Sequence, residues 1–241
     1  EVKKELLKEF FIELTEDVFN ECLDYLEKNN DVVCVEKRIY LKSYYEKEIS
    51  IAMNLKKIDS KAPKMFYNID EKLKELEEKL KINYNETQEK AIKGALNNNI
   101  TIISGGPGTG KTTIINAIVK LYIEKEKLGS ADIMETIALL APTGRAAKKM
   151  NSSTGIPAYT IHRYLKWYKD SNEFVYNEFN KTHHKLIIVD EVSMIDVDLF
   201  NALLNGINSN IKLILVGDTF QLPSVGPGLV LNELIESDYF N

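Results

Sequence analysis

Cysteine is nearly absent from this 241-residue chain, which carries only Cys22 and Cys34. Two cysteines at a separation that fits no metal spacing exclude a zinc module and a disulfide-stapled scaffold, so both are expected as small core hydrophobes. No apolar run approaches the length of a membrane span, and the start Glu1-Val-Lys-Lys4 lacks the pattern of a secretory leader. The expectation is a soluble, cytoplasmic protein without a membrane partner. An excess of positive charge is lacking too, since the formal net charge is −5. A nucleic-acid partner therefore has to be argued from motifs, because bulk charge says nothing for it. No internal repeat or low-complexity tract is present. The chain begins without methionine and stops just after a helix-like stretch, Leu229 to Glu236, which suits a piece of something longer. Its 44% hydrophobic and 28% charged residues are ordinary for a globular protein with a sizeable core.

What is present is organised around Ile100-Thr-Ile-Ile-Ser-Gly-Gly-Pro-Gly-Thr-Gly-Lys-Thr-Thr113. A short β-branched run breaks into glycines and restarts as a helix with Ile114, Ile115, Ile118, Val119 and Tyr122 on one face. Gly105, four residues, then Gly110-Lys111-Thr112 is the spacing of a nucleoside-triphosphate phosphate loop. Glycines at 105, 106, 108 and 110 let consecutive N–H groups turn onto phosphate oxygens, and the helix aims its positive end at the same anion. The candidate ATP-binding residues are Gly106, Pro107, Gly108, Thr109, Gly110, Lys111, Thr112 and Thr113. Lys111 would bridge the β- and γ-phosphates, and the Thr112 hydroxyl would ligate Mg²⁺.

Residues 1 to 57 read as a small separate unit. Leu6, Phe10, Phe11 and Leu14, then Val18, Cys22, Tyr25 and Leu26, follow helical spacing, with a break near Thr15 that can cap the second helix. Val32 to Val35 and Ile39 to Leu41 read as a hairpin with Lys37 and Arg38 at its tip, and a third helix runs from about Ser43 to Leu55. Helices followed by a two-stranded wing resemble a winged-helix module, which serves DNA contact in some proteins and scaffolding in others. Residues 58 to 82 read as a charged connector with Pro63 and a helix from about Asp70 to Leu80. Residues 83 to 241 then show short runs apolar on both faces at Ile100 to Ser104, Ile137 to Ala141, Leu186 to Val189 and Leu213 to Val216. Such strands separated by helices predict an α/β domain with a parallel sheet and ligands at the strands' carboxyl ends.

Leu186-Ile-Ile-Val-Asp-Glu191 supplies Asp190 to hold Mg²⁺ and Glu191 to orient and deprotonate a water, unless both merely cap the following helix. Asp218 and Gln221, in Gly217-Asp-Thr-Phe-Gln-Leu-Pro223, fall where a γ-phosphate sensor is needed, against the alternative of a tight structural loop. Together with Ala141-Pro-Thr-Gly-Arg-Ala-Ala147, Thr160-Ile-His-Arg163 and Asp190-Glu-Val-Ser-Met194, these motifs closely resemble the RecD/TraA-type superfamily 1 DNA helicases, related to the exodeoxyribonuclease V alpha subunit. The resemblance covers roughly residues 83 to 241, with five motifs in the family's order.

That likeness implies a first RecA-like ATPase motor domain of an enzyme moving 5′ to 3′ along single-stranded DNA or a single-stranded/double-stranded junction. Gln88 matches the family's adenine-reading glutamine, although Asn85 and Gln88 also have capping-box spacing. Thr143, Arg145, Thr160 and His162 match segments that touch the DNA backbone, while Lys148 and Lys149 also suit a solvated helix face and His162 a structural role. Residues 164 to 185, with Trp167, Tyr168, Phe174, Tyr176 and Phe179 around a turn, sit where the family carries a strand-parting pin; an ordinary hairpin is the alternative. His183 and His184 have no third partner at metal spacing. Superfamily 1 motors set arginines of a second RecA-like domain against the γ-phosphate, so the parent chain is expected to hold such a domain. The rival readings are a clamp-loader-like ATPase or nucleotide kinase, and a nucleotide-binding module without activity of its own.

Overall fold

The computed structural model describes residues 15–36, 38–62, 65–171 and 173–240. The expected first helix through Leu14, the hairpin-tip residue Lys37, Pro63 and the turn residue Asn172 lie outside them. The chain divides into two compact units, 1–49 and 50–241. Among the described residues, no helix is long and apolar enough to cross a membrane.

In the first unit, helix α1 (Glu16–Lys28) starts at Thr15, whose hydroxyl accepts the Val18 N–H at 3.4 Å. Glu16 and Asp17 in the first turn and Lys28 in the last complement the helix dipole. An antiparallel hairpin follows, β1 (Val32–Val35) and β2 (Arg38–Leu41), paired from Val32↔Leu41 to Val35↔Arg38. The hairpin turns after Val35, where Glu36 takes the left-handed φ of +46° that tight hairpin turns require. Helix α2 (Lys42–Asp59) begins directly after it. The core role expected of the cysteines is not found: Cys22 is exposed and Cys34 half-buried. Helical spacing identifies which side of α1 is apolar but not how deeply it is covered, and α1 buries none of its residues.

In the second unit, the charged stretch 58–82 is more than a solvated connector. Helix α3 (Ile69–Leu80) buries Ile69, Leu73 and Leu76 in one cluster with Ile92 and Leu96 of α4 (Glu86–Asn97) and Ile115 and Ile118 of α5 (Lys111–Glu126). Each such side chain contributes roughly 1.5–3 kcal/mol by leaving water. Its charges stay outside, where Lys72 pairs with Glu75 at 2.7 Å and Glu124 at 2.9 Å, exposed contacts of small individual worth.

Five parallel strands form the central sheet in the order β3-β9-β8-β4-β5: β3 (Ile100–Ser104), β4 (Ile137–Ala141), β5 (Ala158–Thr160), β8 (Leu186–Val189) and β9 (Lys212–Gly217). Every residue of β4, β8 and β9 is buried, as a strand covered on both faces must be. Strand β5 was not expected, because a three-residue, half-buried edge strand leaves no readable periodicity. The helices α6 (Ser130–Thr136), α7 (Gly144–Thr154), α8 (Ile161–Tyr164), α9 (Val197–Gly206) and α10 (Val230–Glu236) complete the unit.

Within 164–185 the hairpin is short. Strands β6 (Trp167–Tyr168) and β7 (Glu173–Phe174) pair as Trp167↔Phe174 and Tyr168↔Glu173, with Trp167 and Tyr168 exposed. Tyr176 and Phe179, expected in its second strand, lie beyond it in an irregular segment stitched by Asn177 and Asn180. The segment ends on a buried network in which the Tyr164 hydroxyl meets Thr182 Oγ1 at 2.8 Å and His184 Nδ1 at 3.1 Å, while His184 Nε2 lies 3.2 Å from the Met134 carbonyl oxygen. His184 is thus structural.

Candidate nucleotide site and the neighbouring strand edge

Parallel pairing brings the carboxyl ends of all five strands to one edge. Ser104 pairs with Gly217 in register, Leu140 with Val189, and Ala141 with Thr160. The loop after β3 therefore opens beside the end of β9, where the Gly105 N–H donates to the Gly217 carbonyl at 3.2 Å. With about 4.8 Å between neighbouring strands, the end of β4 lies roughly 14 Å from the end of β3. The phosphate loop is thus set apart along the edge from the motifs expected at DNA, while Asp190 at the end of β8 directly adjoins β4.

Of the four glycines expected to give the phosphate loop its special backbone, only two take a left-handed φ; Gly105 and Gly106 do not. Gly108 and Gly110 take φ of +77° and +88°, and Gly110 caps α5. Thr109 Oγ1 donates to the Gly106 carbonyl at 2.9 Å, closing the loop on itself. Lys111 Nζ donates to the Gly105 carbonyl and, at 3.0 Å, to the Gly106 carbonyl, so the ammonium is drawn into the turn. Pro107 and Thr113 are exposed, and Gly106 and Thr112 are half-buried.

Asp190 and Glu191 emerge from β8, with β9 lying between them and the phosphate loop's strand β3. Asp190 is 7% exposed, and its N–H donates to the Leu140 carbonyl at 2.9 Å. Burial pushes its carboxyl above the usual range, opposed by the Glu191 N–H at 2.9 Å and by the charges of Lys149 and Lys111. Glu191 takes a left-handed φ of +56°, a strain of roughly 1–3 kcal/mol for a residue with a side chain. Its Oε2 is buried with no hydrogen-bond partner. A strained residue with an orphaned carboxylate oxygen is a candidate for a group whose bonding a ligand completes. The alternative of a plain helix cap does not account for it, since Glu191 makes no side-chain cap bond to the 3₁₀ turn that follows. Gln221 reaches the same region: its Oε1 accepts the Ser193 hydroxyl at 3.4 Å, and its N–H donates to the Asp218 carbonyl at 3.2 Å.

These oxygens fit Mg²⁺ and a triphosphate. Hard oxygen donors on Thr112 and Asp190, few in number, suit a cation that keeps most of its waters and phosphate ligands. Two relations carry no signal in the sequence: the Ser193 hydroxyl donates to Gln221, and the exposed Lys149 adds a minor charge effect on Asp190, behind burial and the Glu191 N–H.

At the ends of β4 and β5 both threonines serve the backbone. Thr143 Oγ1 accepts the Ala146 N–H at 3.3 Å and starts α7, and Thr160 Oγ1 accepts the Arg163 N–H at 3.2 Å and starts α8. Arg145 and His162 are exposed. The His162 ring lies 5.6 Å from Trp167 and 5.9 Å from Phe174, joining α8 to the hairpin, and the Arg163 guanidinium sits 5.1 Å above Tyr159.

A phosphate loop at the end of one strand, an acidic pair at the end of a second and a polar loop on the strand between them define a P-loop domain of RecA-like build. A family described as "AAA domain" matches residues 88–227, and the chain belongs to that family. Its resemblance to RecD-type superfamily 1 helicases is borne out by the curated relatives. The RecBCD enzyme subunit RecD of Mycolicibacterium smegmatis is 37% identical over 168 residues, covering 63% of this chain and 30% of that protein. The ATP-dependent RecD2 DNA helicase of Deinococcus radiodurans is 38% identical over 138 residues, 57% of this chain and 18% of the helicase. The chain thus spans less than a third of these relatives' length. Among solved structures, a Pif1 helicase from Candida albicans aligns with a TM-score of 0.44 at 23% identity, over 60% of this chain and 34% of that one.

Proposed function

We propose that the chain is the ATP-binding motor domain of an ATP-dependent DNA helicase that moves 5′ to 3′ on single-stranded DNA, working with a second RecA-like domain of its parent chain. The observation that carries the enzymatic reading is the buried, unpartnered Oε2 of Glu191 on a strained backbone, next to Asp190 and the phosphate loop. A pure binding module has no use for such a carboxylate.

Lys111 leaves the Gly105 and Gly106 carbonyls to meet the β- and γ-phosphates, and the loop N–H groups hold the remaining oxygens. Thr112 and Asp190 would hold Mg²⁺, which would offset the charge of the β- and γ-phosphates. Glu191 orients the attacking water and accepts its proton at Oε2. Gln221, held by Ser193, reports whether the γ-phosphate is present. In this reading an arginine of the second domain supplies the charge against the γ-phosphoryl oxygens, while Arg145 and Arg163 stand at the ends of β4 and β5. The exposed Arg145 and His162 support contact with a DNA backbone, with the Thr143 and Thr160 caps setting the helices that carry them. Titration calorimetry with Mg²⁺-ATP tests the reading. The parent should bind and Lys111→Ala should bind at least tenfold more weakly; equal affinities would remove the phosphate-loop assignment.

A further inference from the structure

Gln88 is held at both ends of its carboxamide. Oε1 accepts the Asn85 N–H at 3.1 Å while Asn85 Oδ1 accepts the Gln88 N–H at 2.9 Å, a complete capping box at the start of α4. Nε2 donates to the Thr109 carbonyl, 21 residues along the chain, at 3.0 Å. The fit is close: a Cβ at Gly110 would stand only 2.5 Å from Nε2. A continuous set of bonds therefore runs from the capped end of α4 through Gln88 to Thr109, and from Thr109 Oγ1 to the Gly106 carbonyl that also receives Lys111.

We infer that Gln88 is a positioning residue that braces the phosphate loop, and that most of its contribution to nucleotide binding is independent of the base. The peptide between Thr109 and Gly110 is planar and trans, so its carbonyl and its N–H point in opposite directions. Pinning the Thr109 carbonyl from the Gln88 side fixes the direction of the Gly110 N–H, one of the donors such a loop offers to phosphate. Adenine reading asks the same carboxamide for an N–H and an oxygen lone pair together. Here one of each already serves the chain, and a base contact is added to the brace rather than being its purpose.

The inference rests on the nucleotide-binding reading, and one set of titrations separates the two. Calorimetry with Mg²⁺ and ATP, GTP or inorganic tripolyphosphate, which has no base, is run on the whole chain and its variants. Gln88→Ala is expected to weaken all three by the same factor, roughly 2- to 10-fold, as for one lost hydrogen bond. Gln88→Glu keeps the acceptor for Asn85 but loses the donor to Thr109, and is expected to show the same uniform loss with an unchanged circular-dichroism spectrum. Asn85→Ala, which removes the cap and leaves the Thr109 bond, is expected to lose less than either. A loss confined to ATP, or a Gln88→Glu variant that binds all three like the parent, would overturn the inference while leaving the nucleotide site intact. A parent that binds none of the three would overturn the reading beneath it.

Discussion

Two stretches of one sheet edge treat their polar atoms in opposite ways. At the end of β8 the chain keeps strain and unmet bonding capacity: Glu191 sits at φ +56° with an orphaned Oε2, and Asp190 holds a buried carboxyl whose pKa is raised chiefly by burial. At the ends of β4 and β5 the hydroxyls of Thr143 and Thr160 are spent on helix caps, and exposed Arg145 and His162 stand beyond them. A reaction centre needs groups whose bonding is completed by the ligand, so it stores cost in the fold. The β4 and β5 ends, proposed to meet a phosphate backbone, need for that only rigid helix ends and outward charge, and they are internally satisfied.

The largest effect separates the cradle from what completes it. Extending the chain into a second RecA-like domain is expected to raise DNA-stimulated ATP turnover by about 10³–10⁵, the worth of an arginine in related phosphate-loop enzymes. Glu191→Gln in that longer form should abolish turnover while retaining ATP, as read by a phosphate-release assay beside nucleotide binding. Robust DNA-stimulated turnover by residues 1–241 alone would break the contrast, because the cradle would then be complete without a partner domain.

At the other stretch, Arg145→Ala in the extended form should weaken binding of single-stranded DNA without regard to sequence. The slope of log affinity against log salt should fall by about one unit, as for one phosphate contact. An unchanged slope would remove Arg145 from the DNA surface.

Thr143→Ala probes the cap instead of the contact. It is expected to cost ~1 kcal/mol of stability in urea unfolding and to leave ATP affinity unchanged. Loss of DNA binding at unchanged stability would reverse the assignment and make the hydroxyl a contact.

The smallest effect lies away from both stretches. Burial holds the His184 pKa below its ordinary value of 6.5. The unfolded chain then takes up a proton before the folded one, so stability should be level above about pH 6.5 and decline as pH falls from there toward the lower folded value. Urea midpoints across that window should show a shallower decline for His184→Gln than for the parent.

Much of the nucleotide site was legible because each motif is short and local. The glycines of the phosphate loop, the Asp190-Glu191 pair and the buried strands β4, β8 and β9 are written in consecutive residues, and the apolar runs could only be strands covered on both faces. The capping-box spacing of Asn85 and Gln88 was likewise readable, and it is present. What the linear order does not contain is adjacency. That β9 lies between β3 and β8, that Gln88 reaches Thr109, that Ser193 holds Gln221 and that Lys149 acts on Asp190 all depend on strand order and on side chains meeting across the edge. The exposure of Cys22 and the three-residue strand β5 escaped for a related reason: burial depth and edge pairing are properties of neighbours, not of a residue's own pattern. The sequence by itself determined which residue types are suited to phosphate and metal, since local backbone freedom and side-chain chemistry are set within a few residues. Only the tertiary structure decided which of them are strained, orphaned or already satisfied, because those states arise where distant segments meet.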